Sequence, residues 1–165
     1  ERATLEQLMV TPVSRFGLTL GKIMPPVLVG AGATVLALLA MVHVFRVEIR
    51  GDVRLLAALT ALFLFTSLAI GLLISAVART QLQALMMTLL LMLPSVLLSG
   101  FMFPRDAMPT PIREVTWLIP ATYFIEIMRG VVLRAASGHE LARFIVPLAA
   151  LGAGFYLLAA LKFRK

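Results

Sequence analysis

The fold is decided by the stretch LLAALTALFLFTSLAIGLLISAVA, residues 55–78, in which none of the 24 residues is charged. Three further windows also lack Asp, Glu, Lys and Arg, and they cover 23–45, 82–103 and 144–161. A helix rises 1.5 Å per residue, so runs of about 18 to 25 apolar residues match the hydrocarbon core of a bilayer. The sequence therefore predicts an all-α polytopic membrane protein with four transmembrane helices.

The composition supports a lipid environment and excludes several other classes. Of 165 residues, 61% are hydrophobic and 14% are charged, whereas a soluble domain is about 45–50% apolar and about 25% charged. The net charge is +7, but all 23 charged residues lie outside the four apolar windows. We therefore expect a bilayer partner rather than nucleic acid, which requires basic residues gathered on one solvated face. Cysteine is absent, which excludes disulfides and thiol nucleophiles.

The first 22 residues are expected to form a short, broken amphipathic helix at the membrane interface. The sequence Thr4-Leu5-Glu6-Gln7 fits a capping box, and Thr11-Pro12 is typical of a second helix start. The first span is then expected to begin at Pro25-Pro26. Because the chain starts at Glu1 rather than Met, we expect it to be either a fragment or a processed product.

The stretch between the third and fourth windows is apolar but interrupted by prolines. Pro104, Pro109, Pro111 and Pro120 break it into pieces too short to cross a bilayer. We expect a pair of short re-entrant or interfacial helices at roughly 111–119 and 121–134. Pro94 is expected to break the third span near its end.

Two groups of side chains inside the apolar regions are candidate functional residues. Ser67, Gly71 and Ser75 recur every four residues, a spacing that favours close helix packing in lipid, and Ala150 and Gly154 repeat it in the last window.

The second group is Glu126 and Arg129, which are i, i+3 neighbours in an apolar segment. This intramembrane charge pair either takes part in gating, or its two charges only neutralise each other near the interface. The residues alone leave both alternatives open.

Neither catalysis nor the binding of a metal or cofactor is expected of this chain. The sequence GLTLGK at 17–22 has three residues between its glycines rather than four, and Ile23 stands where a phosphate loop has Ser or Thr. The two histidines, His43 and His139, lie on different segments. We therefore expect no catalytic residue, no metal site and no cofactor in this chain.

Charge placement predicts the orientation in the membrane. The two ends and the turn at 79–81 hold seven Lys and Arg residues, at higher density than the eight in the two other loops. Both ends are therefore expected on the cytoplasmic side of an inner or plasma membrane. The predicted spans are 23–45, 55–78, 82–103 and 144–161. The segment 1–22, the turn 79–81 and the tail 162–165 are expected on the cytoplasmic side. The loop 46–54 and the helix pair within 104–143 are expected on the extracytoplasmic side.

Several segments, in order along the whole chain, resemble the membrane subunit of ABC-2 type transporters. These segments are TLEQL (4–8), TPVSR (11–15), GLLIS (71–75), ARTQ (78–81), LPS (93–95), LSGFMFP (98–104), PATYF (120–124) and RG (129–130). The resemblance implies a six-helix subunit whose first two spans would precede Glu1. It also implies that this subunit dimerises, as a homodimer or a heterodimer, and works with a separate cytoplasmic ABC ATP-binding subunit that carries ATP and Mg²⁺.

The resemblance further implies functional assignments. Residues near 4–15 would be the cytoplasmic coupling helix, with Glu6, Gln7 and Arg15 contacting the ATPase. The alternative for Glu6 is a charge that caps the first turn of a helix. The implied activity is export of a hydrophobic or amphipathic substrate such as a drug, lipid or glycolipid. The alternative is a membrane-embedded scaffold or regulatory anchor without transport.

The predicted orientation can be tested because the chain has no native cysteine. Single cysteines replacing Ser14 and Ser137 are expected to react with a membrane-impermeant maleimide from opposite sides of the membrane. Labelling is measured on intact cells and on inverted vesicles. Reaction of both positions from the outside would contradict the topology.

Overall fold

The computed structural model describes residues 15–104 and 107–163. Within those residues the chain is helical and contains no strand. The helices are α1 (Arg15–His43), α2 (Val53–Val77), α3 (Gln81–Leu98), α4 (Thr110–Val115), α5 (Pro120–Arg134) and α6 (Gly138–Phe163), with a 3₁₀ turn (Thr116–Leu118) after α4. The amphipathic helix expected before residue 15 lies outside the described residues.

Four of these helices are long and apolar enough to cross a membrane. They are α1 over Met24–His43, α2, α3, and α6 over Gly138–Lys162. The prediction of an all-α polytopic membrane protein with four spans is therefore confirmed.

The first candidate span, Met24–His43, begins beside Pro25 and Pro26, but the helix that contains it starts earlier. α1 runs without interruption from Arg15 through Pro25 and Pro26 to His43. Each proline lacks the amide hydrogen that would bond to the carbonyl four residues earlier, but the bonds before and after them keep the helix continuous. The expected boundary between residues 22 and 23 is thus a change in composition and not a break in the backbone.

Two other helix ends also differ from the charge-free windows. α3 passes through Pro94 and ends at Leu98 rather than 103, because the chain turns at Ser99 and at Gly100, whose φ is 90°. α6 begins at Gly138, six residues before its window, and so includes two charged residues. A charge-free window marks the part of a helix that lies in hydrocarbon, and helices extend past that part into the polar interface.

The helix pair expected between the third and last spans is present. Residues Thr110–Leu118 and Pro120–Arg134 form two helical arms bent by 89° at Ile119. Proline sits in the first turn of both α4 and α5, where its missing amide hydrogen costs least. The prolines that exclude a straight span therefore also determine where the two arms start.

The core lies where α2, α5 and α6 meet. α2 packs most extensively against α6, and α5 contacts both. By contrast, α3 has no buried residue, and α1 has none over Met24–His43. The buried cluster consists of Leu56, Leu59, Tyr123, Ile127, Val131, Val132, Leu141, Phe144 and Leu148.

The contact of α2 with α6 depends on a glycine. The Thr66 hydroxyl donates to the Leu62 carbonyl at 3.0 Å and lies 3.4 Å from the Leu148 carbonyl of α6. A Cβ on Gly152 would lie 2.7 Å from Thr66 Oγ1 and 3.4 Å from the Thr66 Cα. Since Thr66 is fully buried, only glycine at position 152 allows this approach.

We expect Gly152→Ala to destabilise the full-length protein by about 1–3 kcal/mol, because the added methyl group would push Thr66 out of its hydrogen bonds. Gly154→Ala is the matched control, since a Cβ there meets nothing within 4 Å. Alanine is the better helix former by about 1 kcal/mol, so the control should be neutral or stabilising. Thermal unfolding in detergent measures both, and equal midpoints for the two variants would contradict the packing described.

Candidate functional site

The candidate site lies where the end of α3 meets α5. Gly100, which follows α3, is buried and has a positive φ of 90°, a conformation that favours glycine. Nη2 of Arg129 in α5 donates a hydrogen bond of 2.9 Å to the Gly100 carbonyl. The bent pair, α4 and α5, thus contributes the Arg129 side chain that bonds to the turn at the end of the candidate span α3.

The same arginine contacts the carboxylate predicted to pair with it. Nη1 of Arg129 lies 3.9 Å from Oε1 of Glu126, one turn earlier on α5. The side chains of Arg129 and Glu126 are 50% and 26% exposed, respectively, and their 3.9 Å separation makes the attraction weaker than in a closer ion pair. The structure brings the predicted pair together, and its role in gating stays a prediction.

Aromatic contacts fix the bend and attach it to α2. The Tyr123 hydroxyl of α5 donates to the Trp117 carbonyl before the bend at 2.7 Å, and the two ring centroids are 5.4 Å apart. Phe124 stacks on Phe63 of α2, with 4.3 Å between centroids and 7° between ring planes. These two contacts fix the first turn of α5, the helix that contains Arg129.

One buried hydroxyl in this first turn makes no hydrogen bond to any part of the chain that the structure describes. Thr122 is fully buried and its Oγ1 has no partner there. A threonine inside a helix commonly donates to the carbonyl four residues earlier, as Thr60 does to Leu56. For Thr122 that residue is Leu118, which lies on the other side of the 89° bend.

The predicted stripe of small residues lies along α2, and at Gly71 it has open space beside it in the described structure. Ser67 Oγ donates to the Phe63 carbonyl of its own helix, and a Cβ on Gly71 would meet nothing within 4 Å. Gly71 and Ser75 instead line a cleft of about 440 Å³ between α2 and α3. Helix packing at these three positions stays a prediction for a partner outside the described chain.

The other predicted site residues are only partly described. Glu6 and Gln7 lie outside the described residues, and Arg15 is the first residue of α1. Their contact with an ATPase stays a prediction. Among the described residues, no group of three or more His, Asp and Glu side chains could hold a metal ion.

Sequence reasoning missed the role of Gly100 and the position of the tight helix contact. A glycine directly after an apolar run was the available indication of a turn with positive φ. The partner of that turn could not be inferred, because Arg129 lies 29 residues further along the chain.

Comparisons with known proteins agree with this architecture. A family model described as ABC-2 type transporter matches residues 1–133. The probable multidrug ABC transporter permease YbhS of Escherichia coli K12 is 40% identical over 134 residues, which are 81% of this chain and 36% of that protein. The inner membrane transport permease YhhJ of the same strain is 32% identical over 166 residues, 100% of this chain and 44% of that protein.

A more distant relative is ABC transporter G family member 20 of Dictyostelium discoideum. It is 31% identical over 106 residues, which are 64% of this chain and 14% of that protein. No solved structure matches the chain significantly. The chain thus spans less than half the length of each of these relatives.

Removing the Arg129 donor should cost more stability than removing its ion pair. Arg129→Met keeps the apolar stem but leaves the buried Gly100 carbonyl unpaired, at a cost of about 1–3 kcal/mol. Glu126→Gln removes only a partly exposed charge that lies 3.9 Å from the guanidinium, at a cost of about 1 kcal/mol or less. Unfolding of the full-length protein in detergent measures both, and the reverse order would contradict the contact with Gly100 as the main role of Arg129.

Proposed function

Since the chain belongs to the ABC-2 type transporter family, we propose that it forms part of the permease subunit of an ATP-driven exporter. The observation that carries the proposal is the match of the family model to residues 1–133, which include α1 to α4 and all but the last residue of α5. The chain is therefore a membrane-spanning component of an ABC system. Its direction of transport, its cargo and its partners are the proposed part.

We assign ATP and Mg²⁺ to a separate ABC ATP-binding subunit. Two of the relatives are named as permeases, and the sequence at 17–22 lacks the spacing of a phosphate loop. A second permease subunit, identical or related, would complete the pathway. The apolar side chains that α1 and α3 leave exposed offer surface for it.

The proposed cargo is hydrophobic or amphipathic, in the class of drugs, lipids and glycolipids. The name of YbhS refers to multidrug transport, and the name of YhhJ refers to an inner membrane. We accordingly propose an inner-membrane location, with both ends of this segment on the cytoplasmic side. That orientation rests on the density of Lys and Arg.

The proposed mechanism is alternating access driven by nucleotide binding to the partner subunit. Arg15, the first residue of α1, would contact that subunit together with Glu6 and Gln7, which precede it in the sequence. α1 is one helix of 29 residues, about 44 Å long, so a displacement at Arg15 would reach the opposite end of the span.

From that end, hydrogen bonds connect α1 to α5 and then to α3. The backbone amide of Arg50, in the loop after α1, donates to the Val132 carbonyl of α5 at 3.3 Å. α5 in turn holds the end of α3 through Arg129 and Gly100. These contacts supply a continuous physical connection by which the bent pair and α3 would respond to the ATPase, with Glu126 and Arg129 acting as a gating contact.

The alternative function is a membrane-embedded scaffold or regulatory anchor without transport. Such a protein would need the spans but no docking surface for an ATPase. Recovery of an ABC ATPase with the purified full-length protein separates the two functions, since an anchor would recruit none.

We expect Glu6→Arg to lower both ATPase recovery and ATP-dependent transport by about tenfold or more, because reversing a charge at a docking surface places like charges together. Glu114→Arg, on the exposed side of α4, is the matched control and should leave both unchanged. Pull-down from membranes and transport into inverted vesicles measure the effect. Unchanged transport by Glu6→Arg, with no ATPase recovered with the wild type, would contradict the exporter.

A further inference from the structure

A second candidate site lies away from the contact of Arg129 with Gly100. It is a hollow of about 320 Å³ where α5 ends and α6 begins. Three of its lining residues are charged and three are apolar or small: Arg134, Glu140 and Arg143, and Ala136, Leu141 and Phe144. The charged side chains that line the hollow point to a ligand.

The charges in the hollow do not neutralise one another. Among the side chains that the structure describes, those of residues 24–104 and 107–162, Glu126 and Arg129 form the only ion pair. The Glu140 carboxylate is therefore paired with neither Arg134 nor Arg143, although all three line the same hollow. Two guanidinium groups and one carboxylate are left to face an external group.

The walls of the hollow are fixed by the backbone and by packing. α5 ends at Arg134, the next residue, Ala135, has a φ of 50°, and the Ala136 amide donates to the Gly130 carbonyl at 3.0 Å. A Cβ on Gly130 would lie 2.6 Å from Leu141 Cδ2, so this glycine makes room for the Leu141 side chain that lines the hollow.

The second guanidinium is held in place. That of Arg143 lies over the ring of Phe144, 4.7 Å from its centroid. Phe144 is itself buried in the core cluster, so this arginine rests on a fixed support.

The depth of the hollow identifies the kind of ligand. Arg143 is the last charged residue before the uncharged window 144–161, and it lies about 8 Å along α6 from Gly138. This is the boundary between the polar interface and the hydrocarbon, where phospholipid head groups lie. A ligand held there has its apolar part in the membrane.

We propose that this hollow binds the head group of an aminophospholipid, with the phosphate between Arg134 and Arg143 and the primary ammonium at Glu140. Guanidinium groups are strong donors to phosphate oxygens, and a carboxylate accepts hydrogen bonds from a primary ammonium. A purely anionic lipid would bring its charge next to Glu140. The site is therefore selective for a zwitterionic head group, and it does not depend on the proposed export activity.

The test measures lipid binding to the full-length protein in detergent by native mass spectrometry. Phosphatidylethanolamine, phosphatidylcholine and phosphatidylglycerol are titrated separately, with soluble glycerophosphoethanolamine as a competitor. We expect the wild type to prefer phosphatidylethanolamine over phosphatidylcholine by about fivefold, because the choline ammonium has no hydrogen to donate. The soluble head group should compete weakly, since it lacks the acyl chains that lie in the hydrocarbon.

Three variants assign the effect to the residues. Arg134→Gln combined with Arg143→Gln should weaken binding of both zwitterionic lipids by about tenfold. Glu140→Gln should keep phospholipid binding but bring the preference for phosphatidylethanolamine to about unity. Arg54→Gln, an exposed arginine at the start of α2 that does not line the hollow, should change neither quantity.

Four outcomes would overturn the assignment. Tighter binding of phosphatidylglycerol, strengthened further by Glu140→Gln, would make the site one for anionic lipid. Competition by glycerophosphoethanolamine as strong as that by the lipid would place the ligand in solution. Equal loss of binding in Arg54→Gln would show that binding depends only on the net charge of the protein. Unchanged binding in the double variant would show that the hollow does not bind the lipid. The Glu140→Gln comparison is a ratio of two lipids on one protein, so incomplete folding of a variant does not obscure it.

Discussion

The close approach of α2 and α6 at Thr66 and Gly152 is the constraint on which the rest of the structure depends. In a bilayer, apolar side chains gain little by leaving lipid for one another, so helices associate where small residues let backbones come near. Gly152 provides that approach, and the Thr66 hydroxyl lies within reach of a carbonyl across the interface. α5 can then pack against both helices at once, and its buried side chains Ile127 and Val131 become the centre of the core.

α5 is the element through which the core reaches the remaining helices. It lies against α2 and α6, it accepts a hydrogen bond from the loop after α1, and it donates one to the turn after α3. α1 and α3 have mostly exposed apolar surfaces, so these few polar contacts fix their ends while lipid or a partner covers their sides. The proposed alternating access would use such a division, in which one packed unit stays rigid and the other helices are attached at their ends.

The sequence was sufficient for the number of spans and for the bent pair, because both follow from local chemistry. Charges are excluded from hydrocarbon wherever the neighbours lie, and Pro111 and Pro120 favour the first turn of a helix in any fold. The helix ends were predicted less well, since Arg143 lies inside α6 while remaining at the interface. Spacing alone favoured Ala150 and Gly154 as packing positions, yet a Cβ on Gly154 would touch nothing within 4 Å and one on Gly152 would meet Thr66. Which glycine packs depends on the rotation of α6 relative to α2, and no local pattern contains that information.

The two arginines of α5 show how the same side chain acquires different roles from its surroundings. Arg129 faces the turn after α3, where the Gly100 carbonyl and the Glu126 carboxylate satisfy it, so it joins parts of the chain. Arg134 lies five residues later, at the end of the helix, where Glu140 is near enough to line the same hollow but not to pair with it. A charge at the membrane boundary that the protein leaves unpaired is available to the head groups around it. The bent pair is thus held by the protein at one end and is open to the lipid at the other, so head-group chemistry can act on the helix that connects the core to α3.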